Sequence, residues 1–546
     1  MRKYNISVKA ALAVFALALS ACSSDNDIVD NEPNNQERPA TVTNQTMTFS
    51  AIMDSDKASD AKATRTTFTD NGDRTNNTVW AEDDAISILN TASVDEERPE
   101  EGVFTIGEPA DGSTYSKQEK FSGTKIKANG NNNDQFYAFY PADADNFTNT
   151  NGTVKMTATI PTVQTAIDGS YDQSLHFMSA YSTNSTFKFK NVCALLKIKL
   201  TSNTTVNRIK VVANPTLESM DARDFGYTSI AGEFDATISS TDGTSDVEAN
   251  EEEKTFVELR KGNNEVIGNG TFYLVVLPVD IENGFTIIFE KTNGNTYQRI
   301  NSNVKKFVCN TMYNLGTYDC SGAPTNTTGY EFAVDLDLPS GTLWSKRNMA
   351  DSNDGTFVND ANYAEYGDGG HFSFGKKSVD DNQGSSAYSL PTLVNNTLKG
   401  SDDIAYFSKN NKRWCMPIYA QLYELYNKIY SRNSYKQRLF GSNKYDYAEF
   451  KSEREKTTSF PYAGYQYYTS GFLGIGRNIT TSDDGSRAYY WSRTYDPTTQ
   501  KAYCLVLEQS SDGNDAIIYN NDWKADPYLG YSVLPVATNN QIAPIK

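Results

Sequence analysis

Histidine is almost absent: the 546 residues hold two, His176 and His371. Zinc sites and nucleophile–histidine–acid triads both depend on imidazole, so a His-built metal centre and His-dependent hydrolysis lack their raw material. Basic residues are short as well, 50 Lys and Arg against 68 Asp and Glu, which leaves a net charge of −18 and a pI near 4.7. Such a chain releases few counterions from phosphate, which argues against nucleic acid as a partner. The acidity suits solubility and self-repulsion on a cell surface. Long apolar runs are missing too: Ala10 to Leu19 is about half of what spans a bilayer. Among the six cysteines, the spacing Cys309…Cys320 matches no metal motif. No catalytic residue, metal or cofactor is expected.

What is present begins at the N-terminus. Arg2 and Lys3 lead into the run from Ala10, the layout of a secretion signal over residues 1–21. Leu19-Ser20-Ala21-Cys22 resembles the lipobox of bacterial lipoproteins, in which small residues let the backbone lie extended in a peptidase groove and the cysteine thiol takes the lipid. Cys22 is therefore the expected lipidation site and the expected link to the membrane. Ser23-Ser24-Asp25-Asn26-Asp27 resembles the surface-export signal of Bacteroidetes lipoproteins, so the expected location is the outer membrane and cell surface. Once Cys22 is acylated the remaining thiols are odd in number, and at least one is free or pairs between chains. Cys193 lies in an alternating apolar run and reads as a small core residue. Cys415 and Cys504 are open to pairing.

Aromatic residues make up 12% of the chain, with Tyr 34 and Phe 27, a composition that suits pleated surfaces. Residues 22–44 are polar and aperiodic and read as a flexible tether. In residues 46–53 Met47, Phe49, Ala51 and Met53 share one face and Thr46, Thr48 and Ser50 the other, which predicts a strand; Ile52 breaks the alternation. Short strands separated by Gly, Asn and Asp turns continue to about residue 318 and predict two successive sandwiches, over 45–190 and 191–318. Residues 319–329, around Ser321-Gly322-Ala323-Pro324, read as a linker. Beyond it, 330–546 is α+β, with one amphipathic helix in which Leu422, Leu425, Tyr426 and Ile429 recur at helical spacing.

Several segments, taken in order, resemble the fimbrillin-like proteins of Bacteroidetes: Ala63-Thr64-Arg65-Thr66, Val79-Trp80-Ala81-Glu82-Asp83-Asp84, Phe136-Tyr137-Ala138-Phe139-Tyr140-Pro141, Ile160-Pro161-Thr162-Val163-Gln164 and Tyr273-Leu274-Val275-Val276-Leu277-Pro278. The C-terminal part resembles a second family, expanded as paralogues in Fibrobacter and related to C-type-lectin-like and formylglycine-generating folds. The match runs through Val334-Asp335-Leu336-Asp337-Leu338-Pro339, Arg413-Trp414-Cys415-Met416-Pro417, Tyr490-Trp491-Ser492-Arg493-Thr494 and Tyr531-Ser532-Val533-Leu534-Pro535. It departs at Ile418, where that family offers a hydroxyl to cap the helix. Together the two resemblances imply a mainly β protein: two transthyretin-like β-sandwich domains followed by an α+β C-type-lectin-like domain.

The fimbrillin resemblance implies assembly by donor-strand exchange. An arginine-specific protease removes the strand carrying Met47, Phe49, Ala51 and Met53, and a strand from another fimbrial subunit fills the groove by β-augmentation. Arg65-Thr66 follows the strand closely and is the expected cleavage site. Arg38 would release only the lipid, and Arg74 lies inside expected structure. Because a second domain follows the fimbrillin-like part, the chain is expected to accept a strand without donating one, as a tip adhesin does. A lipid-retaining anchor and a non-polymerising glycan-binding lipoprotein are the alternatives. Cys415 and Cys504 have no neighbouring histidine, so enzyme activity is not expected. The expected ligand is surface glycan or a host or microbial protein. Tyr489, Tyr490, Trp491, Trp523 and Tyr528 are the candidate stacking surface, Trp523 foremost. Lectin calcium loops are not found in 330–546; the tripeptide Glu32-Pro33-Asn34 lies in the tether.

Overall fold

Alternation of apolar and polar residues at period two dominates the chain, and the computed structural model is correspondingly mainly β. It describes residues 46–53, 67–70, 76–92, 100–109, 114–128, 133–142, 147–202, 205–262, 265–330, 332–350, 356–358, 369–378, 385, 387–407, 412–440, 443–470, 477–482, 485–519 and 523–537. The signal, Cys22, the tether and Arg65-Thr66 lie outside these residues. Gln45–Lys546 forms one unit by its internal contacts.

The first module is built from β1 (Thr46–Met53), β2 (Ala85–Asn90), β3 (Glu101–Ile106), β4 (Gln118–Thr124) and β5 (Phe136–Tyr140). After an excursion it takes up two more strands, and β6 (Phe147–Thr150), β7 (Thr153–Ile160) and β8 (Val163–Thr165) form that excursion. The two returning strands are β9 (Met178–Ser182) and β10 (Thr186–Asn191). The strands β1-β10-β9-β5-β2-β3-β4 make up the first β-sandwich, and their hydrogen-bonded order closes on itself as a barrel. Its core is aromatic: Phe49, Trp80, Phe104, Phe121, Phe136, Phe187 and Phe189 pack together.

The second module does not begin at 191. Strand β6 pairs with β7, β7 pairs with Gly232–Ile238, which in turn pairs with Ser245–Ala249, and β8 pairs with Phe256–Arg260. Residues 147–165, sequentially in the first module, are thus structurally in the second. Sequence periodicity marks strands but not their partners, and this crossing leaves no local signal. The core of the second module is aliphatic, with Leu196, Ile198, Ile209, Val211, Leu274 and Ile287 among its members.

The expected linker is built into the structure. Cys320 is buried, and Thr328–Tyr330 adds an outer strand to the second module's sheet through the pairs Thr296↔Tyr330, Tyr297↔Gly329 and Gln298↔Thr328. The fit is close at Gly329, where a Cβ would lie 2.7 Å from the Tyr297 ring and the ring would have to shift. Immediately beyond, Val334-Asp335-Leu336-Asp337-Leu338 turns both acids into a buried ionic cluster shared by the second module and the C-terminal part. Arg208 donates to Asp335 at 2.8 Å and to Asp337 at 3.2 Å, and Lys210 reaches Asp335 at 3.1 Å. Arg454 donates to Asp337 at 2.7 Å and to Glu290 at 3.2 Å. Burial alone would raise the Asp335 carboxyl, but Lys210, Arg208 and Arg454 hold it well below the usual carboxylate range.

The helix Tyr419–Lys428 docks on the same seam. Ile418 has no side-chain oxygen to cap it. The Gln421 side chain instead accepts from the Ile418 N–H at 3.0 Å, and the Thr494 hydroxyl accepts from the Tyr419 N–H at 3.0 Å. A residue distant in sequence thus satisfies a donor that a local cap would serve. On the helix, buried Glu424 accepts from the Ser340 N–H at 2.7 Å and the Tyr227 hydroxyl at 2.9 Å, and burial raises its pKa to about 7.

Candidate functional site

The site nearest to a mechanism is the slot that β1 occupies. Its alternation reads out as predicted: Phe49, Ala51 and Met53 are buried, Met47 is half-buried, and Ile52 faces outward beside Lys188 and Gln118. One flank of β1 pairs antiparallel with β4 over seven residue pairs, from Thr46↔Thr124 to Ile52↔Gln118. The other flank pairs parallel with β10 over four, from Ser50↔Thr186 to Met53↔Phe189. Removing β1 therefore opens the barrel and leaves two facing strands with unpaired backbone groups, the template on which another strand builds.

The floor of the slot is aromatic. The Phe49 ring is fully buried, with centroids 5.1 Å from Phe104, 5.1 Å from Phe136 and 5.3 Å from Phe187; the first two meet it edge to face. Burial of Phe49 and Met53 contributes about 1.5–3 kcal/mol each. Gly123 lies across from Met47, and a Cβ there would stand 2.6 Å from the Val103 carbonyl oxygen, so the wall of the slot needs glycine at this point. Trp80 roofs the far end: its Nε1–H donates to the Ala51 carbonyl at 3.1 Å, while its ring packs edge-on against Phe121, Tyr140 and Phe189. The acceptor is a backbone carbonyl, so this bond does not depend on the side chain at position 51. Asp84 holds the loop beneath, accepting from the Tyr140 hydroxyl and the Ala81 N–H, both at 2.8 Å. On the outer face Gln118 donates to the Ser50 hydroxyl at 3.0 Å.

Trp80, Phe104, Phe136 and Phe187 shape the slot, and nothing local in the sequence marks them as its lining. Each lies in or beside an alternating strand, but the convergence of Phe104, Phe136 and Phe187 on Phe49, and of Trp80 on the Ala51 carbonyl, depends on barrel closure.

The aromatic stacking surface expected in the C-terminal part is not formed by the residues proposed. Trp491 is fully buried, donates to the Phe372 carbonyl at 2.7 Å and stacks on Tyr531 at 4.2 Å. Tyr490 is buried and accepts from Asn348 at 2.9 Å, and Tyr489 is buried against Tyr465 and Tyr531. Trp523, the strongest candidate, is buried among Tyr419, Tyr423 and Tyr426 of the helix. Tyr528 alone of the five is half-buried, its hydroxyl donating to Asp526 at 2.9 Å. Polar neighbours around Trp523 in sequence suggested exposure, but the flanking helix supplies an apolar face that covers it. Nor do Cys415 and Cys504 pair: both are free and buried, and burial raises Cys415 to about 12 and Cys504 higher still. Neither supplies a reactive thiolate. Cys193 is buried in the second module's core.

Residues 64–317 match the family model described as fimbrillin-like. Among solved structures, the chain is similar to a putative cell adhesion protein from Bacteroides ovatus, with 16% identity, a TM-score of 0.28, and coverage of 50% of this chain and 97% of that one. It is also similar to the C-terminally truncated tip fimbrial protein Mfa3 of Porphyromonas gingivalis, with 9% identity, a TM-score of 0.23, and coverage of 46% and 93%. A fimbrial protein from Bacteroides ovatus aligns over 90% of this chain and 99% of its own, at 12% identity and a TM-score of 0.22. No curated protein matches the chain.

Proposed function

We propose that this chain, fimbrillin-like over residues 64–317, is a fimbrial subunit that is exported as a lipoprotein on Cys22, loses β1 by cleavage at Arg65-Thr66, and receives a strand from another subunit in its place. The observation that carries the reading is the setting of β1: an N-terminal strand held between β4 and β10, with Phe49 closing an aromatic floor. Arg65-Thr66 stands after β1 and before the strand Thr67–Asp70, so a cut there releases β1 and leaves the following strand in the mature protein. A donor that alternates apolar and polar residues fits the three buried positions, and the unpaired edges of β4 and β10 supply the rest by backbone pairing.

The chain receives a strand and offers none of the usual kind. Met312–Asp319, which ends the fimbrillin-like segment, pairs with Ala194–Thr201 and leads directly into the ionic seam and the C-terminal part. That arrangement supports a place at the fibre tip, with residues 330–546 held out as an adhesive, lectin-like domain. The role is structural and adhesive, without catalysis.

The test is Arg65→Ala, with N-terminal sequencing of surface protein and of sheared fibres. The native chain is expected to begin at Thr66 in fibres, and the variant to stay an unprocessed, acylated lipoprotein missing from them. A variant that polymerises normally overturns the cleavage assignment, and a native fibre protein that retains Cys22 makes the chain an anchor.

A further inference from the structure

In a chain of net charge −18, one cleft is lined mainly by cations. It lies on the seam between the second module and the C-terminal part, has a volume of about 530 Å³, and is walled by Arg208, Arg260, Lys261, Lys291, Arg454 and Lys456. Two carboxylates, Glu290 and Glu453, also line it. Counting the buried acids behind it, Glu258, Asp335 and Asp337, and Lys210 beside them, seven cations stand against five carboxylates.

Much of this charge has a structural task. Arg208 and Arg454 hold Asp335 and Asp337, Lys456 pairs with Glu290, and Lys291 donates to the Cys320 and Gly322 carbonyls. Two cations at the mouth are not consumed in this way. Arg260 pairs with Glu258 yet leaves 31% of its side chain exposed. Lys261, half-buried on the rim, has no ion-pair partner among the described residues. Burial, and then the like charges of Arg208 and Arg454, hold the Arg260 guanidinium below the usual arginine value despite Glu258, so an added anion at this point relieves a positive surplus.

The walls also limit the ligand's chemistry. No lining residue has an apolar side chain, so a hydrocarbon or aromatic surface would gain nothing by entering. Beside the cations stand Asn207 and Thr292, an amide and a hydroxyl that exchange hydrogen bonds with hydroxyl groups. The volume falls within the range of small-ligand sites.

We propose that this cleft binds an acidic sugar residue, its carboxylate or sulfate group taken by Arg260 and Lys261 and its hydroxyls by the polar walls. The site does not depend on whether the chain polymerises. It differs from the aromatic surface expected from sequence both in place and in physics, since charge rather than stacking would select the ligand.

Isothermal titration of the full chain with 3′-sialyllactose, sulfated lactose and lactose tests it. The charged sugars are expected to bind at least about tenfold more tightly than lactose, which corresponds to about 1.4 kcal/mol. Their affinity should fall as salt rises. The carboxylate and sulfate arms show which anion is preferred. R260Q/K261Q is expected to lose at least about tenfold for the charged sugars and to leave lactose unchanged. Should the double variant fold poorly, K261E alone, altering a rim residue outside the ion pairs among the described residues, carries the same expectation. Equal affinity for charged and neutral sugars, no binding of any of them, unchanged affinity in the variants, or inorganic sulfate binding as tightly as sulfated lactose would each overturn the proposal.

Discussion

Replacing Phe49 with alanine asks whether β1 is a separable plug or a fixed stave of the barrel. The ring is fully buried against Phe104, Phe136 and Phe187, so its loss removes packing that the closed barrel cannot refill. A buried Phe→Ala change costs about 3–5 kcal/mol, a factor of about 100 to about 5,000 in the hold of the slot on β1. In the uncleaved chain β1 competes for the slot at an effective concentration on the order of millimolar, as a tethered segment does. A peptide of residues 45–54 with its native Phe49, at about 100 µM, should therefore fill about one slot in ten of the native chain at equilibrium. In the variant the same peptide should fill most of them. Native mass spectrometry or the anisotropy of a labelled peptide reads the occupancy. Phe234→Ala, in the second module's core, is the control: it destabilises by a similar mechanism and should capture no extra peptide. If Phe49→Ala captures no more peptide than the native chain, or if the control captures as much, β1 is not a replaceable element and the strand-exchange reading fails.

Four further outcomes follow from the seam and the cysteines. Asp335→Asn leaves Lys210 and Arg208 buried with reduced compensation, and should cost about 3–5 kcal/mol in urea unfolding. The depressed pKa values of Asp335 and Glu290 mean that their contribution is present above the unfolded carboxylate pKa and is lost as pH falls through the folded values, so the seam should weaken only in acid. Glu424 has the opposite sign. Raised from 4.5 to about 7, it favours the folded state least above pH 7, and Glu424→Gln should remove about 3 kcal/mol of stability loss between pH 4.5 and 7, visible as a flatter pH–stability curve. Thiol titration of the native chain with an aromatic disulfide should leave Cys415 and Cys504 unreacted until denaturant is added; fast reaction at either would refute their burial.

The parts of this fold that are legible in sequence are those whose cause is local. Met47, Phe49, Ala51 and Met53 share a face because strand side chains alternate, and Leu422 and Leu425 are buried because helix positions three apart share a side. Ile52, the exception to the alternation, turns outward beside Lys188, so the backbone period outranks the hydrophobicity of a single residue. What sequence hides is set by distant partners. Asp335 and Asp337 sit in a Val-Asp-Leu-Asp-Leu alternation that reads as a half-exposed strand, yet their polar face is closed by Arg208 and Arg454, more than one hundred residues away in either direction. Trp523 fails as a surface residue for the same reason: its cover, the helix 419–428, lies about a hundred residues upstream.

The outer strand Thr328–Tyr330 decides where this molecule can be divided. A cut within 319–329 severs a sheet, exposing the edge of Thr296–Asn301 on one fragment and stranding Asp335 and Asp337 without their arginine and lysine on the other. Bare edges of that kind associate with one another. The excised halves should aggregate or soften, and a loss of adhesion in either would report the wound rather than the location of a binding surface.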